Sequence, residues 1–89
     1  MDEEVSTIRH TLVLRRVEPE RNVARFYALM IERDLFGQTV LVRHWGRIGS
    51  RGRERVDPHA NEVEAATAMA NIAAVKRRRG HRVVRTPAT

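Results

Sequence analysis

The sequence spells out one helix with both of its ends marked, and that helix limits what the rest can be. Asn61 followed three residues later by Glu64 has the form of a capping box, Pro58 stands just upstream, and Gly80 is the predicted C′ residue. Between them Ala65, Met69, Ile72 and Lys76 recur at i, i+4, i+7 and i+11, a single stripe along a helix. Residues 65–75 carry no charge, but eleven residues are too few to cross a bilayer. They suit burial, with docking of a partner helix as the alternative. A helix with one apolar stripe needs one apolar surface to lie on, and the residues before it must supply that surface as a sheet.

Upstream the period is two. Ile8, His10, Leu12 and Leu14 share a parity and predict a strand ending at Arg16, after which VEPERN turns the chain. Residues 24–34 are apolar on both parities, Phe26, Ala28 and Met30 against Tyr27, Leu29 and Ile31, which predicts a strand covered on both faces. A short buried helix would show the same pattern, and the β-branched and aromatic content favours the strand. After a turn at Gly37, a third strand from Thr39 puts Leu41, Arg43, Trp45 and Arg47 on one face and Val40, Val42 and His44 on the other. GSRG at 49–52 closes a hairpin, with Gly46, Gly49 and Gly52 as the turn-shaping residues. A fourth strand is expected at 53–57 and a short one through Val83 and Val84. The predicted fold is therefore α+β: a small antiparallel sheet of four to five strands with one long C-terminal helix packed on it. Eighty-nine residues stabilise one core. That domain is expected at 8–85, between a disordered acidic N-terminus at 1–7 and a loose tail at 86–89.

Charge narrows the function. The formal net charge is +6, three of the eleven acids lie in residues 2–4, and sixteen of the seventeen bases are arginine. Such a domain attracts polyanions, nucleic acid first. Arginine suits bidentate phosphate contact, although a GC-rich coding sequence also produces this bias. Cysteine is absent and His10, His44, His59 and His81 lack paired ligand spacing, so neither a metal nor another cofactor is expected. The first residues have no basic and apolar signal pattern, so a cytoplasmic protein is expected, with association with the nucleoid open to it. No nucleophile and base share a motif, which argues against an enzyme.

Two clusters remain as candidates for binding. Trp45 stands between Arg43 and Arg47 on one face, with Arg51 and Arg53 in the hairpin that follows: a stacking platform flanked by phosphate ligands. The competing explanation is a packed indole with cations stacked on it. Lys76, Arg77, Arg78, Arg79, Arg82 and Arg85 form the second cluster, more cations than the helix dipole alone requires. GRIG and GSRG each have the G-x-x-G form that clamps backbone in KH domains, but there it lies between helices and here in a hairpin.

HWGRIGSRG, residues 44–52, resembles the signature of the WGR domain, through Trp45, Gly46 and Arg47. ERNVARFYAL at 20–29 is similar to the family's N-x-x-R/K-F-Y segment, and KRRRGH at 76–81 to its closing K-x-x-x-G-Y, with His81 at the usual aromatic position. The resemblance runs from about Leu12 to Arg82. It implies a compact sheet with one packed helix, and a domain that in poly(ADP-ribose) polymerases binds DNA near strand breaks, with the motif Trp stacking at the end. The motif Arg relays contact to neighbouring domains. By this similarity Trp45 stacks, and Arg43, Arg47, Arg51, Arg53, Lys76, Arg77, Arg78, Arg79 and Arg82 are candidate contacts to nucleic acid, DNA before RNA. The alternative is a protein-interaction module that docks a separately encoded partner. A monomer away from membranes is expected in either case, and His81 is expected to alter only local packing.

Overall fold

A computed structural model describes residues 10–85. The expected acidic N-terminus, the strand start at Ile8 and the tail at 86–89 lie outside the described residues. Strand β1 spans His10–Glu18, β2 Val23–Arg33, β3 Thr39–Arg47, β4 Arg53–His59 and β5 Arg82–Arg85, with helix α1 at Glu62–Arg78 before β5. Among the described residues these strands form one antiparallel sheet in the order β4-β3-β2-β1-β5. The architecture is α+β, as the sequence predicts.

The core lies between α1 and one face of the sheet. Leu14, Leu29, Ile31 and Leu41, from the three central strands, are fully buried, and α1 sets Ala65, Met69 and Ala73 against them. Alanine at two of these three places lets the helix backbone approach the sheet closely. Ile72 and Ala68 flank that stripe half-buried, so the buried line runs through Ala73 rather than through Ile72 to Lys76.

The opposite face of the sheet is apolar as well. Both parities of β2 are apolar, yet no described element packs across the side bearing Phe26, Ala28 and Met30. Phe26 and Met30 are half-buried and Val40 and Val42 are buried, while Val17, Val56 and Val84 on that side are exposed. A single helix covers one face, and the strand pattern cannot count helices.

Local chemistry sets the ends of the elements. At the start of α1, Asn61 Oδ1 accepts the Glu64 N–H at 2.8 Å, while Glu64 Oε1 accepts from Ala60 N–H at 2.9 Å, not from Asn61. The return half of the capping box is thus displaced by one residue. The other end is a full Schellman motif: Gly80 at φ +98°, its N–H on the Arg77 carbonyl and the His81 N–H on the Lys76 carbonyl. The first strand continues past Arg16 to Glu18, and the turn after it is a short 3₁₀ segment, Pro19–Arg21, closed by Asn22 at φ 55°. Strand β4 extends beyond Asp57 through Pro58 to His59, which an edge strand tolerates because it needs no ladder bond on its outer side.

Candidate nucleic-acid interface

The register of the sheet aligns like charges. On the face that carries α1, Arg16 of β1 lies opposite Arg25 of β2, and Arg25 lies opposite Arg47 of β3. Three arginines directly abreast repel one another, and directly opposed like charges weaken a sheet. Two of the three are partly satisfied. The Arg16 Nε donates to Glu18 at 2.6 Å, and Arg47 donates to the Asn22 carbonyl at 3.3 Å and to Asn22 Oδ1 at 3.1 Å. Arg25 has no carboxylate partner among the described residues.

The next row inward is aromatic. Leu14, Tyr27, Trp45 and Arg53 stand abreast across β1 to β4, and Tyr27 and Trp45 stack at 5.7 Å between centroids with their planes 19° apart. The end of α1 comes down on this row, and Lys76 Nζ sits 4.4 Å over the Tyr27 ring. Burial, followed by repulsion from Arg79, Arg25 and Arg43, lowers the Lys76 ammonium below the ordinary lysine range. These side chains frame an open cavity of about 280 Å³, with Arg16, Arg25, Lys76 and Arg79 around it and Tyr27 and Trp45 in its wall. Arg21, from the 3₁₀ turn, and His81, just past α1, also line it. The Glu18 carboxyl beside it is held below the usual carboxylate range by Arg16 first and Arg21 second. A cavity with this excess of cations over an aromatic wall suits a phosphate attached to a flat ring or a sugar.

Sequence reasoning names only part of this group. Trp45, Lys76 and Arg79 line the cavity, and Trp45 is half-buried against the core, a position between the free platform and the packed indole. Arg47 stands in the arginine row. Arg43 faces the same side but is turned to Asp57 at 2.7 Å, and Asp57 also holds Arg55 at 3.0 Å. Asp57 first and Tyr27 next hold the Arg43 guanidinium above its ordinary value, and Arg43 and Arg55 hold the Asp57 carboxyl below its own. Arg51 is exposed in the hairpin and Arg53 on edge strand β4. Arg77 and Arg78 follow Lys76 by one and two residues, which turns them about 100° and 200° around the helix, away from the cavity. Arg82 lies opposite Arg15 on the face of the sheet away from α1. Arg16 and Arg21 are lining residues outside every motif, while Arg25, Tyr27 and His81 fall in the quoted motif segments without being named there as binding residues. Period two held a signal for some of them, since Arg16 continues the Leu12–Leu14 parity and Arg25 precedes Tyr27 and Leu29.

The hairpin that carries the tryptophan is held by contact as well as by turn geometry. Gly49 and Gly52 have φ of +93° and +74°. Gly46 is a strand residue, and a Cβ there would come 2.8 Å from Gly52 Cα. A Cβ on Gly52 would meet the Trp45 backbone and, at 2.9 Å, the Phe26 ring. From the side away from α1 His44 sets its ring edge-on to Phe26 and its Nε2 2.6 Å from the Arg51 carbonyl. Trp45 is thereby fixed in direction on the cavity side.

The chain is 41% identical over 73 residues, 82% of its length, to the uncharacterized protein y4dW of Sinorhizobium fredii, and the match spans 36% of that relative, about a third. No solved structure matches it. The family model that matches is that of the WGR domain, over residues 10–87, and the chain belongs to the WGR domain family.

Proposed function

We propose that this domain binds nucleic acid, DNA in preference to RNA, through backbone charge and stacking at an end rather than by reading bases. The carrying observation is the arginine row, Arg16, Arg25 and Arg47 abreast, beside a stacked Tyr27–Trp45 pair. A fold that sets like charges opposite one another loses stability by it, and a polyanion seated there recovers the loss. The WGR domain is a nucleic-acid-binding, non-catalytic module in poly(ADP-ribose) polymerases, which agrees with this reading. Arg25, Arg47, Lys76 and Arg79 are the proposed phosphate contacts, Trp45 the stacking surface, and Arg51 and Arg53 outer contacts. Arg43, matched by Asp57, serves structure.

Fluorescence of the single tryptophan tests this with short blunt, nicked and single-stranded DNA at low and moderate salt. Saturable quenching that weakens with salt, with a slope set by the phosphates engaged, supports the reading. An indole unchanged by every nucleic acid overturns it. A second reading, a module that docks a separately encoded protein, is favoured by the β2–β3 turn. Leu35 is 100% and Phe36 88% exposed there, on a turn braced by Asp34 Oδ1, which accepts from the Phe36 and Gln38 N–H groups at 2.9 Å each. On that reading DNA leaves the indole unchanged, while pull-down recovers a partner that is lost when Leu35 and Phe36 become serine.

A further inference from the structure

His81 is a polar side chain that the fold buries without satisfying. It is 8% exposed, it lines the cavity with Lys76 and Arg79, and its Nδ1 is closed off from solvent without a hydrogen-bond partner. A buried imidazole nitrogen left unpaired costs free energy, and a ligand in the cavity can change that balance. The Schellman bond from its own N–H to the Lys76 carbonyl, 3.0 Å, fixes the residue at the C-terminal end of α1. The last carbonyls of a helix favour a cation there.

The charged groups around the ring come from every neighbouring element. Lys76 and Arg79 belong to the end of α1, Arg16 with its partner Glu18 to β1, Arg21 to the 3₁₀ turn and Arg25 to β2, while Arg82 adjoins it in sequence. Burial first, and Lys76 next, push the imidazole below the ordinary histidine value; Arg16 and Arg25 add to this, and the Lys76 carbonyl opposes it. With the cavity empty, His81 is therefore neutral at pH 7. A phosphate group entering would neutralise the cations that keep it so.

The geometry points to His81 as a proton-linked contact: phosphate enters between Arg25, Lys76 and Arg79, and the imidazole gains a proton as it arrives and loses it as it departs. This deepens the reading of the cavity as a phosphate-binding face and rests on it. Apart from the N–H bond that the imidazole gains, no covalent bond changes, and up to one proton accompanies each phosphate bound. Affinity then rises as pH falls, by up to about tenfold per pH unit between the free and the bound imidazole values, as linkage requires for one proton.

The test uses a short DNA duplex without terminal phosphates, whose diester charge is constant between pH 5 and 8, and follows the His81 ring by NMR. The proposal expects the duplex to raise the pH at which the ring titrates, and expects wild-type affinity to climb toward pH 5 more steeply than that of His81→Phe. His10, His44 and His59 are present in both proteins, so their contributions cancel. His81→Gln, which keeps a polar group but cannot titrate, should show the same flattened profile and stands in if the Phe variant does not fold. Equal profiles in wild type and variants overturn the proposal. If no DNA binds at any pH, the nucleic-acid reading fails by itself, and titration with pyrophosphate decides the pocket. A ring that shifts upward with pyrophosphate supports the proton-linked site for free phosphate, and one that stays put overturns it.

Discussion

Arg43 and Lys76 are both partly buried cations in contact with Tyr27, one on either side of function. Arg43 is matched: Asp57 lies 2.7 Å away and is shared with Arg55. Lys76 has no carboxylate partner among the described residues, with an aromatic face beneath it and Arg25, Arg43 and Arg79 near enough to repel it. The matched cation ties β3 to the edge strand β4 and holds the fold together. The unmatched one, with Arg25 and Arg79 beside it, is disfavoured by burial and repulsion, and the proposed binding would relieve that cost.

Reversing the unmatched set breaks the comparison hardest. Arg25→Glu combined with Lys76→Glu should weaken DNA binding about a hundredfold, on the order of 1.4 kcal/mol per site, with a melting temperature no lower than wild type's because the repulsion is relieved. A fluorescence titration beside a melting curve measures both, and a collapse in stability would make these residues structural. Gly52→Ala acts through the hairpin. The left-handed φ alone costs an L-residue about 1–2 kcal/mol, and contact with Trp45 and Phe26 adds to it, so denaturant unfolding should show at least that loss.

Asp57→Ala sharpens the matched side. Its folded carboxyl titrates below its unfolded value, so the ion pair contributes stability above the ordinary aspartate value near 3.8 and loses it as pH falls through the folded one. The variant should melt a few degrees lower than wild type at pH 7, and the gap should close in acid, with DNA affinity unchanged at neutral pH. Lys76→Met is the mildest. Because burial and repulsion disfavour the charged amine, the variant should melt no lower than wild type at pH 7, while the salt dependence of DNA binding loses about one phosphate's worth of slope.

Much of the fold could be read from the chain because its signals are local. Asn61 and Gly80 carry the chemistry of helix ends in their own side chains or lack of one, and the parity of Leu41, Arg43, Trp45 and Arg47 follows from strand geometry alone. The WGR tripeptide and its flanking segments pointed to the family for the same reason. The cavity was harder to see, because its members are distant in sequence. Arg16, Arg25 and Arg47 are ordinary solvated arginines until the register sets them abreast, and Arg82, counted with the C-terminal cluster, is carried by strand β5 to the other face. His81, expected to matter only for local packing, becomes a candidate contact because the Schellman turn brings it under Lys76.

What the sequence determined by itself was therefore the kind of element at each stretch, where the helix starts and stops, the excess of positive charge and the family. Each depends on neighbours within about one turn or one strand, and on a sum over the chain. Tertiary structure decided which cations meet a carboxylate and which meet only each other, because charge compensation is a property of distances across strands. It also decided which face of the sheet α1 covers. A strand records that its faces are apolar, and only the packing of α1 shows which of them the helix covers.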